Sequence, residues 1–138
     1  MDVDADKEGL RDGTIDIIAT DHAPHTAEDK QNGSPGISGI ETSFSMCYTK
    51  LVKEGHIGLS KLSEIMSKNP AKIMNINKGL IQQGYDGDLV LIDIDKKSFI
   101  DVNKFFSKGK NSPFDGYEVY GEILMTIKNG KIVYKSEN

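Results

Sequence analysis

Thr20-Asp21-His22-Ala23-Pro24-His25 gathers one carboxylate and two imidazoles within five residues, and the whole chain has only three histidines. Groups of this kind can ligate a metal, move protons, or hold an anion by hydrogen bonds. They follow Ile15-Asp16-Ile17-Ile18-Ala19, a largely apolar run that reads as a buried strand of a parallel sheet. Pro24 prevents the backbone from continuing as strand. In α/β barrels the chemistry lies where such strands end. That places Asp21 as a metal ligand or general base, with His25 just beyond it on a loop. Blander roles fit the same residue types: Asp21 as a turn or helix cap, His22 as a hydrogen-bonded buried imidazole, His25 as a surface residue. His56, in Gly55-His56-Ile57-Gly58, reads as a loop residue with no chemical role.

The elements that must position these groups follow from local signals. A helix is expected to end near Leu10, with Gly13 as its stop. The expected strand spans residues 15–19. Residues 21–39 read as a long loop, because Asn32-Gly33-Ser34-Pro35-Gly36 is dense in turn formers. Long loops of this kind are often lids or binding loops. Residues 41–54 read as a helix, with Phe44, Tyr48 and Leu51 at helical spacing and Gly55 ending it. Ser60 is the expected cap of a second helix carrying Leu62, Ile65 and Met66. Asn69-Pro70 is the expected start of a third, whose buried face is Ile73, Met74 and Ile76. After Gly79 the texture changes to turns and strands. Residues 123–128 and 131–134 flank Asn129-Gly130, the strongest two-residue hairpin signal. A strand buried on both faces needs parallel neighbours, and none is legible here. The chain therefore reads as one piece of a larger fold, with the missing piece before Met1.

Composition bounds the function. The chain has 138 residues, a hydrophobic fraction of 37% and a mean hydropathy of −0.42, as expected of a soluble globular protein. No apolar run approaches the ~20 residues that span a bilayer, and the acidic Met1-Asp2-Val3-Asp4-Ala5-Asp6 resembles no signal peptide. A net charge of −4 argues against a general nucleic-acid binder. Cys47 is the single cysteine and fits a reducing, cytoplasmic setting.

Taken in order, Thr20-Asp21-His22-Ala23-Pro24-His25, Pro35-Gly36-Ile37-Ser38-Gly39-Ile40-Glu41-Thr42, Asn69-Pro70-Ala71-Lys72 and Gly87-Asp88-Leu89-Val90 resemble the C-terminal part of the bacterial-type dihydroorotases, in the amidohydrolase superfamily. Asn111-Ser112-Pro113-Phe114-Asp115-Gly116 and Asn129-Gly130-Lys131 resemble the family's tail. The resemblance implies an α/β fold: the C-terminal fragment of a (β/α)8 barrel, residues 1–78, and part of its small β-sandwich domain, residues 79–138. It implies a zinc-dependent cyclic amidohydrolase that opens dihydroorotate to N-carbamoyl-L-aspartate and runs the reverse cyclisation in pyrimidine synthesis. Asp21 would ligate one zinc of a binuclear site and take a proton from the bridging hydroxide. His25 would bind the substrate carboxylate, and Pro35 and Gly36 would touch the substrate through their backbone.

The chain has no His-x-His pair, with which the family begins its metal site, so this piece alone is expected to be inactive. Its implied partners are the small-molecule substrate, the missing N-terminal part of the same enzyme, and either a second copy or aspartate transcarbamoylase. A hydantoinase, dihydropyrimidinase or allantoinase is the alternative enzyme. A non-catalytic dihydroorotase-like partner of aspartate transcarbamoylase is the alternative outside catalysis.

Overall fold

The computed structural model describes residues 2–137. Helix α1 spans Val3–Asp12. The Asp2 carboxylate accepts from the amides of Asp4 and Ala5, satisfying donors that have no intrahelical partner. Gly13 ends the helix in the left-handed region at φ 89° and donates its N–H to Gly9 O, as expected from the sequence.

Two longer helical segments follow. The first is α3 (Ser43–Cys47), which widens into a π-helical turn over Tyr48–Lys53. The second runs through α4 (Leu59–Ser63), a π turn over Glu64–Lys68 and α5 (Asn69–Ile73). Here the structure departs from the sequence expectation. Gly58, not Ser60, precedes the first helical residue, and Asn69 lies in mid-helix rather than starting one. The π turn explains this second difference. Pro70 has no N–H, and its ring crowds the carbonyl four residues back in a regular helix. A widened turn just before it lets the helix continue. The Asn69 side chain, freed from capping, donates to Asp16 O at 2.7 Å.

Leu10, Tyr48, Leu62 and Ile65 form the buried core, with Ile15, Ile18, Phe44, Leu51, Val52, Met66 and Tyr120 packed around it. Residues 15–19 bring Ile15 and Ile18 against this core but form no strand. Ile18 N donates to Ile65 O instead. A parallel strand needs ladder partners, and the described residues supply none for this segment. The expected burial of Ile73, Met74 and Ile76 is also not found: they are 61%, 69% and 46% exposed.

The second half is an antiparallel sheet in the order β1 (Leu89–Phe99), β2 (Glu118–Lys128), β3 (Lys131–Lys135). Leu89 pairs with Ile127 and Phe99 with Glu118, with bulges between them. Asn129 and Gly130 have φ of 50° and 73°, the paired positive values of the tight hairpin turn. Strand β2 lies directly on the helical layer at Gly121, where an added Cβ would stand 2.9 Å from Phe44 Cε1. Tyr120 N donates to Thr49 Oγ1 beside it. The chain is thus a small α/β unit in which helices come first and sheet second.

Candidate functional site

Beyond residues 15–19 the chain reaches Asp21, whose φ of 44° is left-handed. Aspartate tolerates this region better than most side chains. The reversal turns the chain so that His22 forms a parallel bridge with Ile37. Ala23 N donates to Ile37 O at 2.8 Å. The His22 ring is half-buried, and its Nδ1 accepts from the amides of Gly39 at 3.2 Å and Ile40 at 3.4 Å. It is therefore an anchor of the loop, matching the blander sequence reading of a hydrogen-bonded imidazole.

Beyond Pro24, His25 leads into α2 (Ala27–Gln31). Thr26 and Asp29 form a reciprocal capping box there. The Thr26 hydroxyl, and then its amide, hold the Asp29 carboxyl below the usual aspartate range. The return limb of the loop is drawn back by Lys30, whose Nζ donates to Ser34 O at 2.6 Å and Gly36 O at 3.0 Å. Gly36 has φ 98°, and an added Cβ would lie 2.5 Å from Ala23 Cβ. Only glycine fits this conformation and this contact.

His25, Lys30 and Gly36 line one cavity of about 520 Å³ together with Lys110, Asn111 and Ser112. The lining is largely apolar, and both of its lysines already donate to backbone carbonyls, Lys30 as above and Lys110 Nζ to Phe105 O at 2.5 Å, each ammonium keeping a proton for a further acceptor. Of the four residues singled out in the sequence, the structure brings His25 and Gly36 together here. Asp21 and Pro35 are exposed and stand outside this lining.

The sequence reading missed Asn111 as a functional residue, although its motif was noted. Its side chain reaches His25 N, Ala23 O and Gly36 O. Ser38 and Lys30 were missed as well. Each acts on backbone groups, which no residue spacing announces.

Among the described residues, no group of three or more His, Cys, Asp and Glu side chains could hold a metal ion. Asp21 offers one carboxylate, and a catalytic zinc takes about three protein ligands. These residues by themselves therefore do not fit a resident metal. The one thiol, Cys47, is pushed up in pKa by burial, which keeps it protonated and a poor nucleophile. No helix among the described residues is long and apolar enough to cross a membrane.

The profile of the amidohydrolase family matches residues 2–133. A dihydroorotase of Clostridium botulinum (strain Eklund 17B / Type B) is 56% identical over 134 residues, covering 97% of this chain and 34% of the relative. A dihydroorotase of Acetivibrio thermocellus is 46% identical over 140 residues, covering 99% and 33%. The chain thus spans about a third of the length of the curated relatives it matches. Among solved structures, the L-hydantoinase (dihydropyrimidinase) of Arthrobacter aurescens superposes with a TM-score of 0.89 at 37% identity, over 96% of this chain and 31% of that one. The dihydropyrimidinase of Brevibacillus agri NCHU1002 superposes at 0.92 with 26% identity, over 98% and 32%.

Proposed function

The chain belongs to the amidohydrolase family, and from that premise we propose that it is the C-terminal third of a dihydroorotase. The observation that carries this reading is the 56% identity to a dihydroorotase across 97% of the chain. The cavity supports it independently. Dihydroorotate carries a carboxylate, which hydantoin and dihydrouracil lack, and the hollow has Lys30, Lys110 and the hydrogen-bonding His25 among its lining residues, side chains able to donate to that group.

In this reading residues 1–78 close a (β/α)8 barrel and residues 79–138 belong to the adjoining β-domain. The apolar run of residues 15–19 becomes a barrel strand once parallel neighbours flank it, and Asp21 then stands at its C-terminal end, where barrel chemistry takes place. The ring amide opens when water adds to its carbonyl carbon and the C–N bond breaks. Asp21 takes the proton from the attacking water and returns it to the departing nitrogen. His25 binds the substrate carboxylate, and the backbone at Pro35 and Gly36 lies along the ring. A catalytic zinc in this reading would need Asp21 together with ligands from the rest of the enzyme, since one carboxylate falls short of the about three protein ligands it takes, and it would supply an activated water.

The hydantoinases are the second reading, favoured by the superposition on the Arthrobacter aurescens enzyme. Steady-state turnover of dihydroorotate and of hydantoin by the complete enzyme separates the two. Dihydroorotate is the expected substrate. Turnover of hydantoin with none of dihydroorotate overturns the proposal.

A further inference from the structure

We propose that Asn111 is the positioning residue of this site, setting the substrate-contact loop from the β-domain side through the backbone of Ala23, His25 and Gly36. The inference rests on the reading above in taking His25 and Gly36 as substrate contacts.

The side chain's hydrogen-bonding capacity is fully used. Asn111 Oδ1 accepts from His25 N at 3.0 Å. The Ser38 hydroxyl lies 2.8 Å from that same Oδ1 and 2.8 Å from Gly109 O, and shares its one proton between them. Asn111 Nδ2 donates to Ala23 O at 3.1 Å and Gly36 O at 3.3 Å. Asn111 O closes the set by accepting from Ser38 N at 2.9 Å. An amide has two donor protons and two acceptor lone pairs, and all four are engaged. No other natural side chain of this size offers both donors and acceptors in one plane.

These bonds join three segments far apart in sequence, residues 23–25, 36–38 and 109–111. Apart from the Ser38 hydroxyl, they go to backbone groups, so they set where the loop's main chain lies rather than what its side chains are. His25 lines the cavity from a backbone whose N–H is fixed by Oδ1. Gly36 presents its backbone from a carbonyl fixed by Nδ2. One planar group thus ties both limbs to residues 109–111, beside the loop's own ties through His22 and Lys30.

The segment bearing Asn111 is itself pinned. The Glu41 carboxylate accepts from Phe106 N at 2.7 Å and Ser107 N at 2.9 Å. Gly109 lies against Pro24 so closely that an added Cβ would stand 2.6 Å from Pro24 Cβ. Asn111 therefore transmits a fixed position and does not merely follow the loop. Displacements of about 1 Å at a positioning group are large enough to cost binding or rate.

Asn111→Asp tests this in the complete enzyme. The substitution keeps the shape and the acceptor for His25 N. It replaces the donor amine with an oxygen facing the carbonyls of Ala23 and Gly36, which repels both. If Asn111 positions a substrate contact equally in ground and transition states, KM for dihydroorotate rises at least tenfold and kcat stays within about threefold. Bound metal stays at the wild-type level. Ser38→Ala, which removes one bond of the set, should move KM in the same direction by a smaller factor. An unchanged KM with only a lowered melting temperature makes Asn111 structural and overturns the proposal. So does loss of bound metal. If Asn111→Asp does not fold, Ser38→Ala decides, a wild-type KM being the overturning result. If the wild-type enzyme turns over hydantoin but not dihydroorotate, the dihydroorotase reading has failed and not this one. The same KM comparison on hydantoin then decides it.

Discussion

His22 Nδ1 accepts the buried amide of Gly39 at 3.2 Å, which locks the two limbs of the site loop together one residue after Asp21. With Nδ1 accepting, the ring proton resides on Nε2. An imidazole beside a carboxylate in a motif invites a chemical role. Here one nitrogen is already committed to the loop.

That commitment predicts which substitutions His22 tolerates. Asparagine places its Oδ1 close to the position of Nδ1, whereas alanine leaves the Gly39 amide unpaired. His22→Ala should destabilise by about 1–3 kcal/mol, the cost of a stranded buried donor. His22→Asn should recover most of it. Denaturant midpoints of the two variants check this, and equal losses would show that the ring acts by packing alone.

The hairpin makes a second prediction. Gly130 has φ 73°, and an added Cβ there would meet nothing within 4 Å. Any cost of substitution is therefore conformational and not steric. Gly130→Val should destabilise by about 1 kcal/mol or more. Its neighbours raise the stakes, because Asn129 N donates to Asp88 Oδ1 at 2.7 Å and Gly130 N to Gly87 O at 2.9 Å. A neutral substitution, read from chemical denaturation, would mean that the turn relaxes to another type.

Features written in adjacent residues were legible in the sequence. Gly13 stops α1 and Asn129-Gly130 turns the sheet because a positive φ is a property of one or two residues. Residues 15–19 show the limit of such signals. Their apolar run is a strand pattern, yet a strand is a relation between segments, and the run has no parallel partner among the described residues. Asn69 shows another limit. A cap residue before proline is a fair start signal, but the π turn of Glu64–Lys68 lets the helix pass through. Ile73, Met74 and Ile76 have the spacing of a buried face and lie open. His25 and Gly36, singled out by type, line one cavity. Asn111 was not legible as a site residue, because its partners lie 73 to 88 residues away and all but the Ser38 hydroxyl are backbone atoms.

The open apolar surface has its own consequence. Ile81 is 91% exposed and Phe106 is 82% exposed, besides the Ile73 and Met74 face. Apolar area of this kind on a soluble unit drives association. The 138-residue chain purified by itself should run as oligomers at micromolar concentration in light scattering. A dilute monomer with a sharp cooperative melt is the contrary result.

The capping box gives a pH dependence with a definite sign. Asp29 in the folded chain has a pKa below the ordinary aspartate value, chiefly through the Thr26 hydroxyl. A lowered folded pKa means that the stabilisation is complete above the unfolded value, about 3.9, and is lost as pH falls through the folded one. The Thr26 amide, which donates to Asp29 Oδ2 at 3.1 Å, should titrate by NMR with a midpoint below about 3.9. A midpoint at or above that value contradicts the assignment. Asp29→Asn should abolish the titration and loosen α2 at neutral pH.

Asp21 and His25 should separate in kinetics because they differ in place. Asp21 lies before Pro24 in a left-handed conformation at φ 44°, so alanine there would confound chemistry with backbone strain. Asparagine tolerates that conformation and removes the charge, which makes Asp21→Asn the cleaner variant. In the complete enzyme it should lower kcat by at least ~10², the usual contribution of a positioned proton carrier, with a smaller change in KM. Bound metal should fall with it, since a carboxylate ligand has been replaced. His25 lies beyond Pro24, lines the cavity, and has its backbone held by Asn111. His25→Ala should leave the loop in place and remove one contact to the substrate carboxylate. KM for dihydroorotate should then rise while kcat holds, the pattern of an interaction equal in ground and transition states. Bound metal should stay normal. A His25→Ala enzyme that loses its metal would reverse the assignment, making Asp21, His22 and His25 a ligand cluster and moving carboxylate recognition to Lys30 and Lys110.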